Sequence, residues 1–362
     1  MSELAQSRRP TLRAEFGPDR DWLAIMASLT IIELAWWAAA WSLGRAPAPF
    51  VGTYLLLAFG GLGLAVVVRL ALRAAPTSAP WPGIIAGTVL VAIGASAFLP
   101  LKYAIPSEVP FWLDQPFAVM ERAAFGSDPW LVLDRLVGWA TKAMDWLYGC
   151  WLPVQLLILF LVMLSRPSRS KSQALIAYSL AWFLLGAVAA VLLSSAGPLF
   201  YDRAFGGDSF AALAETLRNR GAWIAIAESD RMWASWSLDQ PGLVAGISAM
   251  PSIHVAISLW IVLAARKLAS GLTPLAVAYF VLIWIASVQL GWHYASDGFV
   301  GALGMWCVWW LGQVLTKPPG LIERLLSTHS RHWPRSLLTS IADIRWFALN
   351  RRGGSPDDLR PQ

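Results

Sequence analysis

Two histidines carry the chemistry this sequence offers. His254 closes the segment Gly-Ile-Ser-Ala-Met-Pro-Ser-Ile-His (246–254), and His293 lies in Gly-Trp-His-Tyr-Ala-Ser-Asp-Gly (291–298). Each falls where a long apolar run meets a polar connection, whereas the other two histidines, His329 and His332, sit in a basic tail. His293 and Asp297 are four residues apart, so a helix beginning there puts them on one face. The carboxylate then accepts from one imidazole nitrogen and leaves the other free as a nucleophile.

Positioning these groups is the task of the elements between them. Apolar stretches at about 255–265 and 275–290 are separated by Arg266, Lys267, Gly271 and Pro274. Two helices crossing about 30 Å of hydrocarbon at 1.5 Å per residue use up most of that interval. The chain thus leaves one membrane face at His254 and returns to it at His293.

Composition supports a membrane setting for the whole chain. Of 362 residues, 57% are hydrophobic and 14% charged, with mean hydropathy +0.55, against about a quarter charged in soluble domains. The reading is an all-α polytopic membrane bundle. Continuous apolar runs place about eight transmembrane helices, near 22–44, 51–73, 82–104, 148–165, 173–196, 248–266, 273–292 and 297–316. Residues 1–21 read as a cytoplasmic N-terminal tail that is retained rather than removed as a signal peptide. Residues 22–81 hold two accessory transmembrane helices, 82–316 a six-helix catalytic core with extracytoplasmic loops, and 317–362 a basic amphipathic cytoplasmic tail lying on anionic lipid. Arg69 with Arg73, the run Arg166 to Lys171, Arg266 with Lys267 and both termini share one side. By the positive-inside bias that side is the cytoplasm, so the histidines face the periplasm of a bacterium or the lumen of a eukaryote; a bacterial inner membrane is the expected location.

Several residues read as scaffold. Trp36, Trp37, Trp41, Trp81, Trp151 and Trp292 fall near span ends and are expected to anchor there. Cys150 and Cys307 have no metal-ligand spacing and read as small apolar packers. No Cys, His or carboxylate cluster suggests a metal, no cofactor is implied, and the net charge of +6 needs lipid partners rather than nucleic acid.

Pro251-Ser252-Ile253-His254 resembles the Pro-Ser-Gly-His motif of the type 2 phosphatidic acid phosphatase superfamily, and His293 with Asp297 resembles that superfamily's last motif. Ala249-Met250-Pro251-Ser252-x-His254-Val255 followed by Gly291-x-His293-Tyr294-x-x-Asp297 is similar to the branch of inositol phosphorylceramide synthases and their bacterial relatives. Gly197 to Arg203 also resembles a segment of that branch. The likeness covers about residues 100–315. It implies His293 as nucleophile, Asp297 as the group that orients it, and His254 as acid and base, acting through a phosphohistidine without metal. The implied partners are a phospholipid donor and a hydroxyl-bearing lipid or water as acceptor.

The sequence departs from the superfamily in its cations. The first motif, Lys-x6-Arg-Pro, has no counterpart, since Arg166-Pro167 has Leu159 at the lysine position, and Ser287 replaces the arginine six residues before His293. Arg203 is the leading substitute for binding phosphate, with Lys102 and Lys142 behind it as residues that could equally snorkel. Tyr201 is open to two readings, a hydrogen-bond donor to phosphate or a member of the aromatic belt. Ser252 and the backbone N–H groups after Pro251 start a helix, which is an anion site. In the loop at 105–147, Asp128-Pro129 reads as a helix start, and two interfacial helices, the second near 129–147, fit the pattern, with a plain surface loop as the open alternative.

These features lead to a membrane lipid phosphotransferase that moves a phospho-head group to a hydroxyl acceptor, with a lipid phosphate phosphatase as the near alternative. A transporter using the histidines as a proton relay is the reading from another class. Against it stands the absence of a Gly/Pro-interrupted pair of spans in matching halves.

Overall fold

The structure, a computed structural model, describes residues 19–72, 79–242 and 246–317. The tails expected at 1–21 and 317–362 lie almost wholly outside the described residues. Among the latter the chain is helical and contains no strand. Its helices are α1 (Arg20–Ser42), α2 (Val51–Ala71), α3 (Trp81–Glu108), α4 (Asp114–Phe125), α5 (Pro129–Val137), α6 (Thr141–Gly149), α7 (Trp151–Met163) and α8 (Arg169–Leu192), then α9 (Pro198–Phe205), α10 (Ala211–Arg220), α11 (Trp223–Ser237), α12 (Ile253–Leu268), α13 (Thr273–Gln289) and α14 (Ala295–Leu315). Six of these, α1, α2, α3, α8, α13 and α14, are long and apolar enough to cross a membrane. A further candidate is the broken pair 129–149 and 151–163, bent by 47°. Their outer faces carry exposed Leu56, Leu70, Leu275 and Leu303, which hydrocarbon accommodates and water would not. Such helices fit an integral membrane protein.

Two of the eight expected spans differ in form. The span placed at 148–165 continues from α5 and α6 through the bend at Cys150. The span placed at 248–266 is the 16-residue α12, about 24 Å long against a hydrocarbon core of about 30 Å. The irregular segment 246–252 precedes it, with Ile247, Ala249, Met250, Pro251 and Ser252 buried. Non-helical backbone at membrane depth is tolerated only when protein covers it or a cavity adjoins it, and here both hold.

Polar side chains join the spans at points where hydrocarbon offers no alternative partner. Trp260 of α12 donates to the Ala174 carbonyl at 2.7 Å, Gln173 of α8 donates to the Trp309 carbonyl, and Tyr178 donates to Gln155 at 2.7 Å. At the same end of α8, Lys171 and Asp19 form a fully buried ion pair at 2.9 Å that fixes the start of α1. Close approach of α14 to the start of α12 depends on Gly301, where a Cβ would collide with the Ser252 carbonyl oxygen.

Candidate active site

The start of α14 fixes the acid of the site. Asp297 is its N3 residue and accepts from the Tyr294 backbone N–H at 3.0 Å, completing a capping box, a contact that satisfies an otherwise orphaned helix N–H. The same oxygen, Oδ2, stands 3.3 Å from His293 Nδ1. The His293 backbone N–H is in turn held by the Ser287 carbonyl at 3.1 Å. His293 is 5% exposed and Asp297 fully buried, so the pair is screened from water on the acid's side.

His254 comes to the same place from the first turn of α12. Its ring centroid is 5.9 Å from that of His293, stacked on Tyr148 at 4.4 Å and set against Trp151 at 4.2 Å. Its Nδ1 is buried without a hydrogen-bond partner among the described residues. Trp151 and Trp292, expected as interfacial anchors, instead wall the site: Trp151 is 4% exposed, and Trp292 stacks against Tyr148.

Both histidines open onto a cavity of about 510 Å³ with largely apolar walls. Lys102 and Arg231 are the cationic side chains that line it. Lys102 has no ion-pair or hydrogen-bond partner among the described residues, while Arg231 is paired with Glu228. Arg203 and Tyr201, singled out in the sequence, do not line this cavity. Arg203 pairs with Asp230 of α11, and Tyr201 packs on Phe205 and Phe210 with centroids 4.9 and 5.1 Å away. Both join α9 to its neighbours. Ser252 is fully buried and caps α12 by accepting from the Val255 N–H at 3.4 Å. Lys142 is likewise not among the lining residues.

A layer of acids that the sequence reading passed over holds the site from α4. Asp114 accepts from the Ala196 and Gly197 backbone N–H groups at 2.8 Å each, from the Ser195 hydroxyl at 3.2 Å and from the Tyr294 hydroxyl at 3.3 Å. Gly197, at φ +90°, lets this turn lie against the Trp292 carbonyl, and Leu199 N–H donates to the Gly291 carbonyl at 2.8 Å. The turn ahead of α9 is thereby fastened to the His293 turn. Glu121 accepts from the backbone N–H and hydroxyl of Ser296, at the N-terminus of α14 where negative charge is favoured. Burial pushes the Asp114 carboxyl up to about 6, in spite of its two backbone donors. Burial likewise raises Glu121, against the opposing pull of Ser296. Asp128 occupies the N-cap position of α5 with Pro129 at N1, as expected, but its carboxylate pairs with Arg122 at 2.7 Å instead of capping the helix.

No cluster of three or more His, Cys, Asp or Glu side chains among the described residues is placed to hold a metal ion. The fold and site together define an α-helical membrane protein with a histidine pair lining an apolar cavity and an acid buried beside one of the histidines. Residues 117–311, more than half of the chain, match the PAP2 superfamily, and the chain belongs to it. That superfamily consists generally of phosphatases and phosphotransferases acting on lipids. No curated protein and no solved structure matches the chain.

Proposed function

We propose that this protein is a lipid phosphotransferase whose reaction passes through a phosphohistidine at His293. The observation that carries the reading is the convergence of His254 and His293 at one cavity, the two rings 5.9 Å apart, with Asp297 3.3 Å from His293 Nδ1. Asp297 holds the proton of His293 on Nδ1, leaving Nε2 with its lone pair. Nε2 attacks phosphorus in line, the N–P bond forms, and the P–O bond to the donor lipid breaks. His254, in its protonated form, gives its proton to the departing alkoxide, which otherwise leaves poorly. Now neutral, it takes the proton of the acceptor hydroxyl as that oxygen attacks phosphorus and releases His293.

Charge accumulating on the phosphoryl oxygens needs cations or N–H donors. Lys102 is the candidate for that role, and it stands in for the missing lysine of the superfamily's first motif. Arg203, Tyr201 and Ser252 support the reaction from outside the cavity, through the packing of α9 and the start of α12. The motif likeness to the inositol phosphorylceramide synthase branch favours a lipid hydroxyl as acceptor. Water as acceptor makes the enzyme a phosphatase. The positive-inside bias of the basic residues near 69–73, 166–171 and 266–267 supports a bacterial inner-membrane protein whose histidines face the periplasm.

The test uses purified protein in detergent with labelled phospholipids, with and without a lipid alcohol. Head-group transfer or phosphate release that is abolished in His293→Ala, with a normal unfolding midpoint, supports the proposal. Turnover that persists in the variant contradicts it.

A further inference from the structure

The cavity does not stop at the family-matched core. Its far wall is built by Met26, Leu29, Thr30 and Glu33 of α1 and by Tyr54 and Ala58 of α2, all of which precede residue 117, where the superfamily match begins. Glu33 is the anomaly in that wall. It lies mid-helix in a span, is 6% exposed, and has no hydrogen-bond or ion-pair partner among the described residues. A carboxyl inside the membrane is costly, and where it persists it faces a pathway or a ligand. Across from it stands Gly94 of α3, where a Cβ would lie 3.4 Å from both Glu33 Oε2 and Thr30 Oγ1. The missing side chain at Gly94 leaves the two polar groups open to the cavity. Gly94 is eight residues before Lys102 on the same helix, so the backbone beside Glu33 lies about 12 Å of helix rise from that of Lys102.

We propose that Glu33, with Thr30 beside it, forms a polar subsite that binds a hydroxyl group part-way along the hydrophobic portion of the lipid. The inference rests on the lipid-phosphate reading of the cavity. A plain hydrocarbon chain leaves the carboxyl unpaired in an apolar cavity, whereas a chain hydroxyl supplies both a donor and an acceptor. A subsite designed to hydrogen-bond one group rejects an analogue lacking it far more strongly than an apolar pocket rejects an extra methylene. The accessory helices α1 and α2 therefore select the lipid, while His254, His293 and Asp297 of the family-matched core perform the phosphoryl transfer.

The experiment measures binding rather than turnover. Two lipid phosphates, identical except for a hydroxyl at mid-chain in one, compete for the full-length protein in nanodiscs, for wild type, Glu33→Gln, Glu33→Leu and His293→Ala. Wild type and His293→Ala should both prefer the hydroxylated lipid by at least tenfold. Glu33→Leu should bind the two equally, and Glu33→Gln, which retains a hydrogen-bonding amide in nearly the same shape, should fall between. Equal binding of the two lipids by wild type overturns the subsite, as does an undiminished preference in Glu33→Leu. If the preference behaves as stated but no lipid phosphate is turned over, the subsite stands and the phosphoryl-transfer reading fails.

Discussion

Replacing Lys102 by methionine separates a catalytic cation from a structural one, because the two roles move stability in opposite directions. The ammonium lines the cavity with no partner among the described residues, so its burial is a cost the folded protein carries. Methionine has similar length and no charge, and Lys102→Met should leave the unfolding midpoint unchanged or raise it. The effect on catalysis follows from Coulomb's law. A unit charge about 4 Å from a phosphoryl oxygen, at an effective dielectric constant of about 20, contributes about 4 kcal/mol, which is a factor on the order of 10³ in rate if it acts mainly in the transition state. Mutational losses of single charge-stabilising groups run at about 10² to 10³. Turnover of a lipid phosphate by Lys102→Met should therefore fall by at least two orders of magnitude, with partial recovery in Lys102→Arg. The assay pairs phosphate release or head-group transfer with thermal unfolding on the same detergent preparation. Turnover near the wild-type level in Lys102→Met refutes the assignment, and a loss of turnover with a fall in midpoint shows that the lysine is packing, not catalysing.

Asp297→Asn keeps the size of the acid but presents an amide to His293 Nδ1, so the histidine loses its orienting acceptor. A fall in turnover of about 10² to 10⁴, with little change in lipid affinity, is expected; a change confined to KM contradicts the orienting role. Asp114 gives a pH signature. Its carboxyl is raised by burial from 3.8 to about 6, so between those values the folded state holds a proton that the unfolded state has lost. Stability from this group is full below 3.8 and declines as pH rises through about 6. Between pH 8 and pH 5 wild type should thus gain on the order of 1 kcal/mol that Asp114→Asn lacks. Parallel pH–stability curves for the two proteins remove this account. Asp114→Ala should be destabilised at every pH, because the Ala196 and Gly197 N–H groups lose their acceptor at about 1 to 3 kcal/mol each.

The sequence conveyed the histidine pair and Asp297 more clearly than the groups around them. His254, His293 and Asp297 were legible because local spacing governs them: a four-residue step on one helix and two apolar runs whose lengths return the chain to one face. Lys102 was visible only as one of several cations near span ends, since no periodicity says which of them turns inward. Arg203 looked better placed in the sequence, yet its partner Asp230 lies 27 residues away on α11, a pairing that only tertiary structure can reveal. Asp114 escaped for the same reason, as its donors at 195–197 and 294 are distant in the chain. Trp151 and Trp292 show where a good general rule gives way. Indoles at span ends usually anchor, but these two end beside a cavity whose walls needed aromatic surface. The 16-residue α12 read as a full span because the apolar run continues through 246–252, where Pro251 and the packing against Ser195 and Asp297 keep the backbone out of a helix.

The central claim is that phosphorus passes through His293. Incubating the protein with a lipid labelled at phosphorus, quenching within the first turnover at alkaline pH, and mapping the label by mass spectrometry tests it directly. The account predicts acid-labile phosphate on His293 that is absent in His293→Ala. Turnover that proceeds with no label on His293, or with the label on another residue, contradicts it.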